Sequence, residues 1–137
     1  MFFYSSTCSA YVYAGVSDNT KNYAMTIGTP APFASGYVIA PHIVGLSPTT
    51  FAIVYQNVSY NPTTYATIYS FLETVIGTVN PTTLAITLST PLVIANNPNL
   101  KLTNLVVSPI SAYQYVAIWK DLACASCGKA TYRTKFN

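Results

Sequence analysis

The chain has 137 residues; 51% are hydrophobic, only 7% are charged, and the formal net charge is +3. That length suits one ordinary domain with a real core, and so much apolar content with so little charge excludes a disordered chain. A membrane-spanning helix needs about 20 apolar residues in a row; the best stretch, 36–46, is short and holds Pro41 and His42. A membrane barrel fits poorly with strands that are apolar on both sides and interrupted by proline.

At the front, Met1-Phe2-Phe3-Tyr4 is too short for the apolar region of a signal peptide, and no Lys or Arg precedes it. The expectation is a chain not secreted in this form, or a mature piece of something longer. Val, Ile, Thr, Tyr and Phe then dominate, with Pro or Gly breaking the runs, which is the pattern of strands. Strands are predicted at 10–16, 23–28, 31–35, 42–46, 51–56, 65–71, 73–79, 84–89, 91–95, 102–107, 114–119 and 130–136. Turns are predicted at Ser17-Asp18-Asn19, Asn61-Pro62, Asn80-Pro81 and Asn96-Asn97-Pro98-Asn99, where Asx residues and prolines supply the turn chemistry. The stretch 65–75 lacks a breaker and admits a helix, but its β-branched and aromatic content favours a hairpin. Segments 50–55 and 114–119 are apolar on both faces, as in inner strands covered from both sides.

The chain is also self-similar. Tyr23-Ala24-Met25-Thr26-Ile27-Gly28-Thr29-Pro30 matches Leu84-Ala85-Ile86-Thr87-Leu88-Ser89-Thr90-Pro91 in character, at an offset of 61. Ala31-Pro32-Phe33-Ala34 follows against Leu92-Val93-Ile94-Ala95, and Leu46-Ser47-Pro48 against Val107-Ser108-Pro109, at the same offset. Residues 51–57 match 115–121 at 64, Ala66-Thr67 match Ala130-Thr131 at 64, and residues 13–16 match 75–78 at 62. The expectation is a single all-β domain over 1–137 with internal repeats at roughly 10–71 and 72–136. Each unit of four or five short strands needs a neighbour to cover its apolar faces, as in a propeller blade or a sandwich.

The segments Thr26-Ile27-Gly28-Thr29-Pro30, Phe33-Ala34-Ser35-Gly36 and Leu46-Ser47-Pro48-Thr49-Thr50-Phe51-Ala52-Ile53-Val54-Tyr55-Gln56-Asn57 carry a resemblance. They resemble the repeats of uncharacterised, extracellular β-propeller-like proteins, clearly over 20–80 and more weakly over 81–136. The resemblance implies about two tandem four-stranded propeller-blade-like repeats, with a β-sandwich as the alternative. It implies no site residues. Those proteins stack many copies, whereas about two cannot close a propeller of about four or more blades. Residues 130–136 are expected to stand where 66–71 do, and 10–16 where about 72–79 do. A C-terminal strand would then pair with an N-terminal one, within the chain or in a second copy, and so remove exposed edges.

Chemistry is sparse. The acids are Asp18, Glu73 and Asp121; two read as turn residues and Glu73 as a strand residue pointing outward, so no catalytic carboxylate pair is expected. The one histidine, His42, precedes an apolar strand, and no G-x-S-x-G nucleophile turn is present. Cys124-Ala125-Ser126-Cys127 has CxxC spacing without the βαβ setting of a redox site. A zinc site would need both Cys8 and His42 to complete it. A disulfide between Cys124 and Cys127, or from one of these to Cys8, would suit an oxidising compartment; the odd cysteine could pair between chains, and free, buried thiols are the alternative. Asn57-Val58-Ser59 is a glycosylation sequon in a predicted loop. Lys120, Lys129, Arg133 and Lys135 crowd the C-terminal end; a solvated hairpin explains so small a patch better than an anionic partner (nucleic acid, acidic glycan or a membrane surface) does, and no stacking platform for nucleic acid accompanies it.

The expectation is therefore a non-enzymatic structural or interaction protein, without catalytic, cofactor or metal residues. It would be a building block of an extracellular, cell-surface or virion assembly, forming homo-oligomers or polymers by strand pairing. A glycan- or protein-binding module is the alternative.

Overall fold

The computed structural model describes residues 9–18, 20, 24–61, 63–64, 66–96, 102–121 and 130–135, the last stretch by its backbone. They form β-strands and no helix, so among them no helix crosses a membrane. The strands are β1 (Ser9–Val12), β2 (Gly15–Asp18), β3 (Ala24–Ile27), β4 (Ala31–Ser35), β5 (Tyr37–Gly45), β6 (Thr50–Tyr60), β7 (Thr67–Val79), β8 (Ile86–Leu88), β9 (Leu92–Asn96), β10 (Leu102–Ser111), β11 (Gln114–Asp121) and β12 (Ala130–Lys135).

A central sheet runs β5-β6-β7, and the far edge of β7 carries both β8 and β9. On one side of it packs the small ladder β1-β4, which the ladder β2-β3 continues; on the other lies the C-terminal sheet, β10-β11-β12. All pairings are antiparallel, and none of the sheets closes.

Side chains alternate across a strand, and β6 is buried on both faces. Phe51, Ile53 and Tyr55 join Val75 from β7 in one cluster, against Val12, Phe33 and Ala34 of the small ladders. Ala52 and Val54 join Leu72, Val44 and Leu46 in the other, against Leu102, Leu105, Tyr115, Ala117 and Trp119 of the C-terminal sheet. A ring covers a bare backbone where Phe51 lies over Gly77: a Cβ there would sit 2.1 Å from the ring. On the second face the buried Gln56 amide donates to Ser70 Oγ at 2.7 Å, whereas Thr74 Oγ1 has no hydrogen-bond partner among the described residues.

The two loops that flank β7 share one chemistry. Asn61 Oδ1 accepts from the amides of Thr63 and Thr64 at 2.8 and 3.0 Å. Asn80 Oδ1 accepts from Thr82 and Thr83 at 2.9 and 3.0 Å. Each Asn amide then donates across the loop, to Ala66 O at 2.8 Å and Ala85 O at 2.9 Å. Both loops follow Asn-Pro-Thr-Thr, and in each the Asn side chain closes the turn.

Three expectations change. The strand predicted over 10–16 is two strands, because the partner switches from β4 to β3 at Tyr13-Ala14. The hairpin predicted from 65–71 and 73–79 is the single strand β7: no Gly, Pro or Asx stands near 72, where the turn was expected, and β6 pairs with it from Thr67 to Thr78. Strand β11 is covered on one face only, with Ile118 exposed between buried Ala117 and Trp119. The predicted turn at 96–99 lies largely outside the described residues.

Candidate functional site

The most chemically distinct group sits at the middle of the β6-β7 ladder. Tyr55 pairs with Glu73, and Asn57, two residues on, shares the same face. Glu73 is buried, against the expectation that it points outward. Its Oε2 accepts from Asn57 Nδ2 at 3.2 Å. The Tyr55 hydroxyl is fully buried and donates to Phe33 O at 3.4 Å, while the Phe33 ring meets the Tyr55 ring edge-on at 5.1 Å. Burial first, then the hydrogen bond and the negative charge of Glu73, push the Tyr55 phenol well above its ordinary range. A neutral donor is thus fixed beside a carboxylate, an arrangement that holds β4 onto the central sheet.

Two open clefts lie between the small ladders and the central sheet. One of about 360 Å³ runs past Tyr13, Ile43, Phe51 and Ile86. The other, of about 310 Å³, runs past Tyr11, Phe33, His42 and Ile53. His42 is exposed on β5, opposite Val54. Neither cleft is lined by Asp or Glu, so His42 and Glu73 do not meet in one of them. Asp18 lies at the end of β2, where its Oδ1 accepts from Thr20 N and Thr20 Oγ1 at 2.9 and 2.6 Å. Asp121 ends β11.

The sequon residue Asn57 lies within β6 and not in the predicted loop; it is half-buried and engaged with Glu73. Cys8, Cys124, Cys127 and Lys129 lie outside the described residues. Among the described residues no three His, Cys, Asp or Glu side chains gather as metal ligands would. Lys120 is exposed on β11, and Arg133 and Lys135 belong to β12.

The sequence reading missed the exposed apolar surface. Tyr11, Tyr13, Met25 and Ile27 stand out from the small ladders, and Val106, Ile110 and Ile118 from the C-terminal sheet. Tyr, Val and Ile are equally at home in covered strands, so only their exposure marks them. Comparison of the chain with protein-family models, curated proteins and solved structures found no match.

Proposed function

We propose that the chain is a structural building block, made of about two versions of one β-unit, that assembles with further copies outside the cell or in a virion. The observation that carries this reading is apolar surface exposed on both outermost sheets, where Tyr11, Tyr13, Ile110 and Ile118 stand at register positions whose counterparts Glu73, Val75, Leu46 and Val54 are buried.

The correspondence is supported ladder by ladder. β1 and β2 together stand to β4 and β3 as β7 alone stands to β9 and β8. Ala10↔Ala34 and Tyr11↔Pro32 flank a bulge, and so do Leu72↔Ala95 and Glu73↔Val93. Gly15↔Ile27 likewise matches Gly77↔Leu88. The hairpins β5-β6 and β10-β11 run in step at an offset of 64. Each has a bulge beside a left-handed residue, Ala40 at φ 47° and Asn104 at φ 53°. Each turn has a serine hydroxyl accepting from the amide two residues on: Thr49 N to Ser47 Oγ, and Tyr113 N to Ser111 Oγ, both at 3.3 Å. This register aligns Ser47 with Ser111, in place of the 61-residue offset read from the sequence there. It also sets Ala130, opposite Trp119, with Glu73, opposite Tyr55, in place of Ala66. A propeller-like or sandwich stack of such units is the architecture this reading expects.

Sedimentation velocity at micromolar concentration with electron microscopy tests it: assemblies larger than the single chain are expected, and a stable monomer defeats the reading. A glycan- or protein-binding module is the second reading. It is favoured by the clefts that Tyr11 and Tyr13 line, since Tyr joins an apolar ring to a polar tip. Glycan-array binding by a monomer would select it.

A further inference from the structure

Resting on the building-block reading, we infer that copies of this chain join head to tail by face-on-face sheet stacking, the C-terminal sheet of one covering the small ladders of the next. The occupant of each exposed face is a second copy of this chain.

One face of the central sheet carries Phe51, Ile53 and Tyr55; the opposite face carries Ala52 and Val54. The first face is covered by the inner side of the small ladders, through Val12 and Phe33. The opposite face is covered by Tyr115, Ala117 and Trp119, which at the 64-residue offset are the counterparts of Phe51, Ile53 and Tyr55. The chain therefore already makes one kind of contact twice: the even side of one unit's sheet against the odd side of the next.

Each end of the stack keeps one unused half of that contact. On the C-terminal sheet the exposed side holds Ile118, Val116 and Ile110, counterparts of Val54, Ala52 and Leu46. Ile118 is 36% exposed where Val54 is 0%. On the small ladders the exposed side holds Tyr11 and Tyr13, counterparts of Glu73 and Val75; Met25 and Ile27, counterparts of the half-buried Ile86 and Leu88, continue it on β3, which is exposed along its whole length. Tyr13 is 60% exposed where Val75 is 1%. The two halves are complementary and neither matches itself, so the contact is heterologous and propagates from copy to copy, as a ring or a filament. Apolar surface displayed on outer sheet faces in this way marks an interaction surface.

The test uses two single variants of the full chain, Ile118→Lys on one face and Ile27→Lys on the other. Both replace exposed side chains, and circular dichroism and a thermal melt check the fold; Val106→Lys, across the ladder from Ile118, stands in if Ile118→Lys misfolds. In sedimentation velocity the unaltered chain is expected to assemble beyond dimers. Each variant alone is expected to be monomeric, while an equimolar mixture gives a heterodimer and nothing larger, because one intact face of each kind remains. Dimers of either variant alone would overturn the head-to-tail contact. Assembly indifferent to both substitutions would overturn face stacking while leaving the building-block reading standing, with strand-edge pairing as its route. A monomeric unaltered chain would overturn both.

Discussion

Strands β6 and β11 occupy the same place in their hairpins, yet they end differently. β6 is sealed on both faces and its middle residues, Ala52 to Gln56, are almost wholly buried. β11 alternates, with Tyr115, Ala117 and Trp119 inward and Ile118 and Lys120 outward. Apolar side chains on both sides of a strand thus do not say whether both sides are covered. Coverage is a property of the neighbours, and β6 has sheets on both sides where β11 has one.

The sharpest way to break this comparison is Trp119→Ala set beside Ile118→Ala. Trp119 lies in the cluster between the central and C-terminal sheets, so its truncation should cost about 4 kcal/mol. Truncation of Ile118 should cost under about 1 kcal/mol in the monomer. Urea denaturation measures both, and equal losses would mean that β11 is covered on both faces.

A second pair compares glycines at matching ladder positions. Gly77→Ala drives a methyl into the Phe51 ring, and overpacking of this kind should cost about 2 kcal/mol. At Gly15 the added methyl meets nothing closer than 3.5 Å, so Gly15→Ala should change the melting temperature little. Equal shifts would remove the distinction between the covered Gly77 and the open Gly15.

Smaller still is Thr74→Val. Thr74 is buried, and its hydroxyl has no hydrogen-bond partner among the described residues. The substitution should raise stability by about 1 kcal/mol, read from the denaturant midpoint.

The contribution of Tyr55 changes with pH only in alkali. Its folded-state pKa lies above the unfolded value of 10.0, so its contribution is intact below pH 10 and is lost as pH rises from there toward the folded pKa. Denaturant midpoints measured across alkaline pH should fall, and more shallowly in Tyr55→Phe.

Most strand positions were legible in the sequence because Pro, Gly and Asx residues bound them. Several boundaries were not: β5 runs from Tyr37 through Pro41 to Gly45, where a strand starting at 42 was expected. The break at Tyr13-Ala14 is set by a change of partner strand, which no local residue announces. In β7, the Phe71-Leu72-Glu73 stretch gives a single strand because β6 pairs along nearly its whole length, a contact remote in sequence. The candidate site was illegible for the same reason: Glu73 is held inside by Asn57 and the neighbourhood of Tyr55, sixteen and eighteen positions earlier in the chain. A lone carboxylate in an apolar strand reads as solvent-facing until such partners are known.

The two Asn-Pro-Thr-Thr loops also bear on chemical ageing. Asparagine deamidates when the backbone nitrogen of the following residue attacks its side-chain carbonyl and closes a succinimide. Proline has no proton on that nitrogen, so Asn61 and Asn80 are blocked from this decay, and their carbonyl oxygens are already engaged by two amides each. The loops at both ends of β7 are therefore built from a residue that normally limits shelf life, in the one context that protects it.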